Sequence, residues 1–192
     1  MSTWISKAAT LTGLLGLCAC QAIGGGNLGA STSPLPVMGG AVTLVGPTNY
    51  CPDRESLFET ESSAVVLLGK CRAESKSPPA VLSLVIGQIG SAAVLANEGK
   101  ELADFLTSNG GRASISRSGR ATDVRILSAK MSGEAFLVQV EDKTAGRYWR
   151  GMIPINGHLV SISAQGPDLS AEASLDLVMA TAQSLRRVNA RS

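Results

Sequence analysis

Aromatic side chains make up only 4% of this 192-residue chain, histidine occurs once, and no apolar run approaches the length needed to cross a bilayer as a helix. Each scarcity excludes something. With few aromatics but 44% hydrophobic residues, a core has to be built mainly from Val, Leu, Ile and Ala. A serine hydrolase needs a base beside its nucleophile, and His158 is the one imidazole available. It follows directly on Asn156-Gly157, where a solvent-facing strand residue is expected, and no Gly-x-Ser-x-Gly elbow accompanies it. A phosphate loop is missing too: Gly69-Lys70 runs into Cys71, and Ala64 stands where its first glycine should be. Gly87-Gln88-Ile89-Gly90 has the wrong spacing for a dinucleotide loop and reads as a turn. Asp53, Glu55, Glu59 and Glu61 cluster without a histidine or an EF-hand pattern, as a solvated face does. No cofactor or metal is expected. The net charge of +2 excludes an electrostatic nucleic-acid binder.

Charge is also absent over one long stretch, with none between Lys7 and Asp53. Lys7 precedes the mostly apolar run Ala8 to Leu17, too short to span a membrane and of the length found in a signal peptide. The run ends in Leu17-Cys18-Ala19-Cys20-Gln21. This resembles the lipobox of bacterial lipoproteins, with an aliphatic residue three places before, and a small one directly before, the acceptor Cys20. Cys18 fits that register poorly, since Leu17 would take the place of the small residue. The resemblance implies cleavage before Cys20 and a diacylglycerol on its thiol, and Gln21, not aspartate, after it slightly favours the outer over the inner membrane. The alternative is plain secretion after cleavage at Ala22.

Three segments follow: 1–19 as signal peptide, 20–38 as a Gly-, Ser- and Pro-rich tether, and 39–192 as one domain. In an oxidising compartment Cys51 and Cys71, the pair left after Cys18 and Cys20, are expected to form a disulfide; closing so short a loop contributes roughly 3 kcal/mol. Apolar or alternating runs predict strands at Ala41–Val45, Ala64–Leu68, Val81–Ile86, Ala113–Arg117, Asp123–Leu127 and Ala135–Glu141. Two more, Arg147–Ile155 and His158–Ala164, flank Asn156-Gly157, a strong hairpin signal. A helix is expected from Glu98 to Ser108, stopped by Gly110-Gly111. A second is capped by Ser170, with the apolar stripe Ala171, Leu175, Val178, Ala182 and Leu185 and with Arg186 and Arg187 at its negative end. The expected class is α+β, an antiparallel sheet of six to eight strands packed by two helices, one of them the amphipathic C-terminal helix.

The segment Val45 to Asp53 (VGPTNYCPD), with Ala64 to Cys71 (AVVLLGKC), Trp149-Arg150 and the closing helix, resembles a group of uncharacterised alphaproteobacterial envelope proteins. That group carries no known activity. The element order also resembles the PsbP-like α/β/α sandwich, which implies a non-catalytic binding or assembly module.

One run is a candidate binding surface: Arg147, Tyr148, Trp149 and Arg150, with Arg112, Arg117 and Arg125 nearby. Arginines and aromatics dominate interaction hot spots, and guanidinium forks fit phosphate or carboxylate. Strand alternation puts Trp149 on one face and Tyr148 with Arg150 on the other, so an aromatic could instead be core. Glu134, Glu141 and Asp142 show no spacing that sets them apart from surface charge. The expected function is a lipid-anchored periplasmic binding or assembly module, its partner the membrane and another envelope protein or an anionic polymer. The alternative is a hydrolase of unrecognised type, which a pocket of converging ionisable groups would support.

Overall fold

The computed structural model describes residues 33–190; the expected signal peptide, Cys20 and the expected tether as far as residue 32 lie outside the described residues. The described chain opens with a short antiparallel pair, β1 (Leu35–Val37) and β2 (Val42–Leu44). Leu35 and Val37 are buried, so the folded domain begins before residue 39, its expected start. Pro36 disguises β1 in the sequence, because proline sits in a sheet only at an edge, which is where β1 lies.

Next come β3 (Tyr50–Pro52), β4 (Phe58–Glu59), β5 (Ala64–Lys70) and β6 (Val81–Ile89), then the short helices α1 (Lys100–Thr107) and α2 (Asn109–Ile115). The rest is β7 (Val124–Ser132), β8 (Ala135–Asp142), β9 (Gly146–Ile155), β10 (His158–Gln165) and the closing helix α3 (Ala171–Asn189). Strands β3 to β10 form one eight-stranded antiparallel sheet in the order β3-β5-β6-β10-β9-β8-β7, with β4 also paired to β5. The class is α+β. Asn156 and Gly157 both take positive φ and close the two-residue β9–β10 turn, with Ile155 opposite His158. Cys51, at the edge strand β3, is bonded to Cys71 just past the end of β5.

Helix α3 covers one face. The Ser170 hydroxyl accepts from the Ala173 N–H, and Val178, Ala182 and Leu185 are buried, while Ala171 and Leu175 are half-buried. Contact with the sheet is closest at Gly151, where any Cβ would come within 2.6 Å of Val178 Cγ1. Two polar residues are buried under the helix for a reason. The Ser174 hydroxyl accepts from the Trp149 N–H and donates to the Ala164 carbonyl, and the Asn189 side chain exchanges two hydrogen bonds with the Thr43 backbone. Both satisfy main-chain groups that would otherwise be buried unpaired.

Helices α1 and α2 cover only part of the opposite face, packing Leu102, Leu106 and Ile115 on Val138, Val140, Tyr148 and Met152. Here two expectations fail. The Ala113–Arg117 strand belongs largely to α2, and Gly110-Gly111 sits inside that helix instead of stopping α1. Extended Ser108 separates the helices and caps the second, its hydroxyl accepting from the Gly111 N–H. Gly111 is needed for closeness, since a Cβ there would strike the Phe105 carbonyl at 2.0 Å.

Candidate functional site

Beyond the cover of α2, strands β10, β6, β5 and β4 leave their share of that face open. The pairing registers lay out its side chains row by row. Arg150 on β9 stands opposite Ser163, Ser163 opposite Ser83, and Ser83 opposite Leu67. The α2 end, the Arg117 segment after it and the β8–β9 turn make one wall, and the resulting open cleft has a volume of about 720 Å³. The two cations of its lining, Arg117 and Arg150, both act on the Tyr148 hydroxyl, Arg150 more strongly. Burial pushes the Tyr148 phenol up, and the two arginines only partly oppose that. The hydroxyl donates a long bond, 3.4 Å, to the Ile115 carbonyl. Arg150 Nε is buried with no hydrogen-bond partner, while Arg117 reaches Gln165 Oε1 at 3.4 Å.

The chemistry of this lining is one-sided. Arginine and tyrosine do converge in the cleft, yet a guanidinium stays protonated and Tyr148 is a weaker acid than usual. Among the described residues the lining holds no carboxylate, imidazole, thiol or amine, so its serines have no base beside them. What remains is a set of donors suited to an oxyanion.

The four-residue candidate surface is divided by strand alternation. Tyr148 is 3% exposed and Trp149 8%, and they enter cores on opposite faces, so neither is an exposed aromatic anchor. Arg147, on the α3 face, pairs with Glu141 at 2.8 Å, as Arg125 does at 3.3 Å; the Arg147 bond, more than the Arg125 charge, draws the Glu141 carboxyl down. Arg112 donates to the Thr107 carbonyl at the end of α1 and to Asn109 Oδ1 in its own helix. Of the four, Arg150 and the edge of the buried Tyr148 line the cleft, joined there by Arg117 from a segment the sequence assigned to a different strand. The other candidates have structural partners. Asp53 accepts from the Glu55 N–H, Glu59 from the Met38 N–H, and Glu134 lies 3.7 Å from Arg186. His158 is buried, contrary to expectation, its Nδ1 2.8 Å from the Gly87 carbonyl.

Two carboxylates hold the wall. Burial opposes ionisation of Asp142, but donations from the Ala145, Thr144 and Arg117 N–H groups outweigh it and leave the carboxyl below its ordinary value. Asp123 accepts from the Ser118 hydroxyl at 2.6 Å, Arg120 Nε at 2.8 Å and Lys143 Nζ at 3.2 Å, which together hold its pKa at about 2 against an ordinary 3.8. A carboxyl lowered on folding stabilises the fold above its unfolded pKa and loses that contribution as pH falls through the folded one. Asp123→Asn is therefore expected to melt lower than wild type at pH 7, with the gap closing as pH drops from 3.8 toward about 2. Thermal melts across that range check it; a gap independent of pH would assign the loss to packing.

Comparison with protein-family models, curated proteins and solved structures finds no match to this chain.

Proposed function

We propose that this protein is a non-catalytic binding module of the bacterial envelope, anchored through lipid on Cys20, whose cleft grips a phosphate or carboxylate group of an envelope component. The observation that carries the reading is the pair of guanidinium groups, Arg117 and Arg150, lining one cleft that has hydrogen-bond donors and no base. An oxyanion bound between them would accept charge-assisted hydrogen bonds from both. The same lining argues against the hydrolase alternative, since nothing in it could take a proton from a serine or a water near neutral pH.

The test is titration with inorganic phosphate, followed through the arginine Nε–Hε signals by NMR. Arg150 and Arg117 resonances are expected to move together and saturate. Arg150→Ala should weaken binding by about tenfold or more, the loss of a charge-assisted bond, while its melting stays within a few degrees of wild type. Signals that do not move would sink the reading.

The anchor rests on the lipobox-like register of Leu17, Ala19 and Cys20. Wild-type protein is expected in the membrane fraction, with two or three acyl chains on its N-terminal cysteine, since one chain alone holds only marginally. Cys20→Ser should release it. Mass spectrometry that finds an unmodified mature N-terminus at Ile23 would show secretion instead.

A further inference from the structure

On the open part of the sheet the polar side chains are the serines of β10 and β6, Ser161, Ser163 and Ser83. Apolar side chains begin in the cleft with Val81, 49% exposed, and Leu67, 39%, and continue beyond it with Val85, 37%, and Phe58, 65%. Register makes these neighbours, since Phe58 stands opposite Val65, Val65 opposite Val85, and Leu67 beside them opposite Ser83. α1 and α2 bury the other half of this face, so the bare half is an unfinished layer of the core. Contiguous exposed apolar surface with a polar rim marks a binding site more often than chance. The row from Arg150 through Ser163 and Ser83 to Leu67 spans three strand spacings, roughly 14 Å. It runs from cation through hydroxyls to hydrocarbon.

From that gradient we infer that the ligand is an anionic amphiphile. Its phosphate or carboxylate head sits between Arg150 and Arg117, and its alkyl chain lies across β6 and β5 toward Phe58. This rests on the anion-binding reading above and adds the tail. Charge complementarity selects the head, for the lining has two guanidinium groups and no carboxylate. Asp142, which Tyr148 senses from below, is already taken by three backbone N–H donors. Glu59 does not intrude, because it stands opposite Ala64, whose side chain belongs to the α3 face. A simple anion would use the arginines and leave the apolar band in water. A neutral hydrocarbon would do the reverse, leaving the two guanidinium groups of the cleft without an anion.

The experiment uses the full-length Cys20→Ser chain, which has no thiol for acylation at that position, and isothermal titration with four probes. These are inorganic phosphate, dodecyl phosphate below its micelle concentration, dodecyl maltoside, and vesicles of phosphatidylglycerol. Dodecyl phosphate is expected to bind at least about tenfold tighter than inorganic phosphate, each buried methylene adding to the affinity. Phe58→Ser with Val85→Ser, both exposed positions whose change should spare the fold, is expected to erase that advantage and leave inorganic phosphate binding as it was. Arg150→Ala should weaken both phosphates. Vesicle binding by wild type that the Phe58→Ser, Val85→Ser chain loses would give a bilayer as the source of the head group, and binding of the free amphiphile alone would give a released lipid; both support the inference. If inorganic phosphate binds through Arg150 and the dodecyl chain adds nothing, the anion reading stands and the amphiphile is overturned in favour of a polymer or protein acid. Equal binding of dodecyl maltoside overturns it as well, and if neither phosphate binds, both readings fall.

Discussion

Val178→Asp is expected to leave the chain unfolded at room temperature. Val178 is fully buried, and the strand below it has no side chain at Gly151 because Val178 Cγ1 already fills that space. An aspartate there reaches no cation and no water. It is either an unpaired buried charge or a carboxyl forced to stay protonated, at a cost of several kcal/mol against a total stability of about 5–15 kcal/mol. Val178→Ala separates charge from volume: it removes methyl groups only, should cost about 1–3 kcal/mol, and should still fold. Leu175→Asp should also be milder, because Leu175 is half-buried and its replacement can turn toward solvent. Far-UV circular dichroism and thermal melts compare the three. A Val178→Asp protein that melts within a few degrees of wild type would mean that α3 does not seal this face.

The stripe that places Val178 was legible in the sequence because it is local, as were the Asn156-Gly157 turn and the lone Cys51–Cys71 pair. Local chemistry dictates each of them. Where the reading failed, a tertiary contact had overruled a local preference. Ala113 to Arg117 alternates like a strand, yet Ser108 caps a helix through the Gly111 N–H, and the Gly111 contact with Phe105 lets α2 fold back on α1. His158 was expected in solvent, but the Gly87 carbonyl on the neighbouring strand binds its ring, and a register shift between His158 and Val160 accompanies that packing.

The cleft was half legible. Arg150 stood out through its neighbours, but the feature that matters, its meeting with Arg117, depends on where α2 ends and how the Asp142 carboxylate holds the Arg117 N–H at 3.1 Å. No spacing in the sequence encodes that meeting. The aromatics beside Arg150 drew attention for a reason that proved structural. In a strand buried on both sides, adjacent large residues serve two cores, and a run such as Arg147 to Arg150 is split between faces by the pleat.

Trp149→Ala is therefore expected to damage stability and leave ligand recognition alone. The Trp149 ring is packed in the core beneath α3, with Lys130 Nζ 5.7 Å from its centroid, on the face opposite the cleft. Emptying that site costs about 3–5 kcal/mol, with the cation–π contact adding about 0.5–1 kcal/mol. For a domain of this size the melting temperature should fall by roughly 7–24 °C. The Trp149 N–H keeps its bond to Ser174, since the backbone is unchanged, so the strand stays in register and Arg150 stays in the cleft. At a temperature where the variant is still folded, its affinity for inorganic phosphate should lie within about twofold of wild type, the scatter expected of distant, uncoupled sites. Arg150→Ala should give the reverse pattern, a normal melt and weak binding. If Trp149→Ala melts like wild type and loses phosphate, the aromatic belongs to the recognition surface after all, and the division of β9 between a core face and a ligand face is wrong.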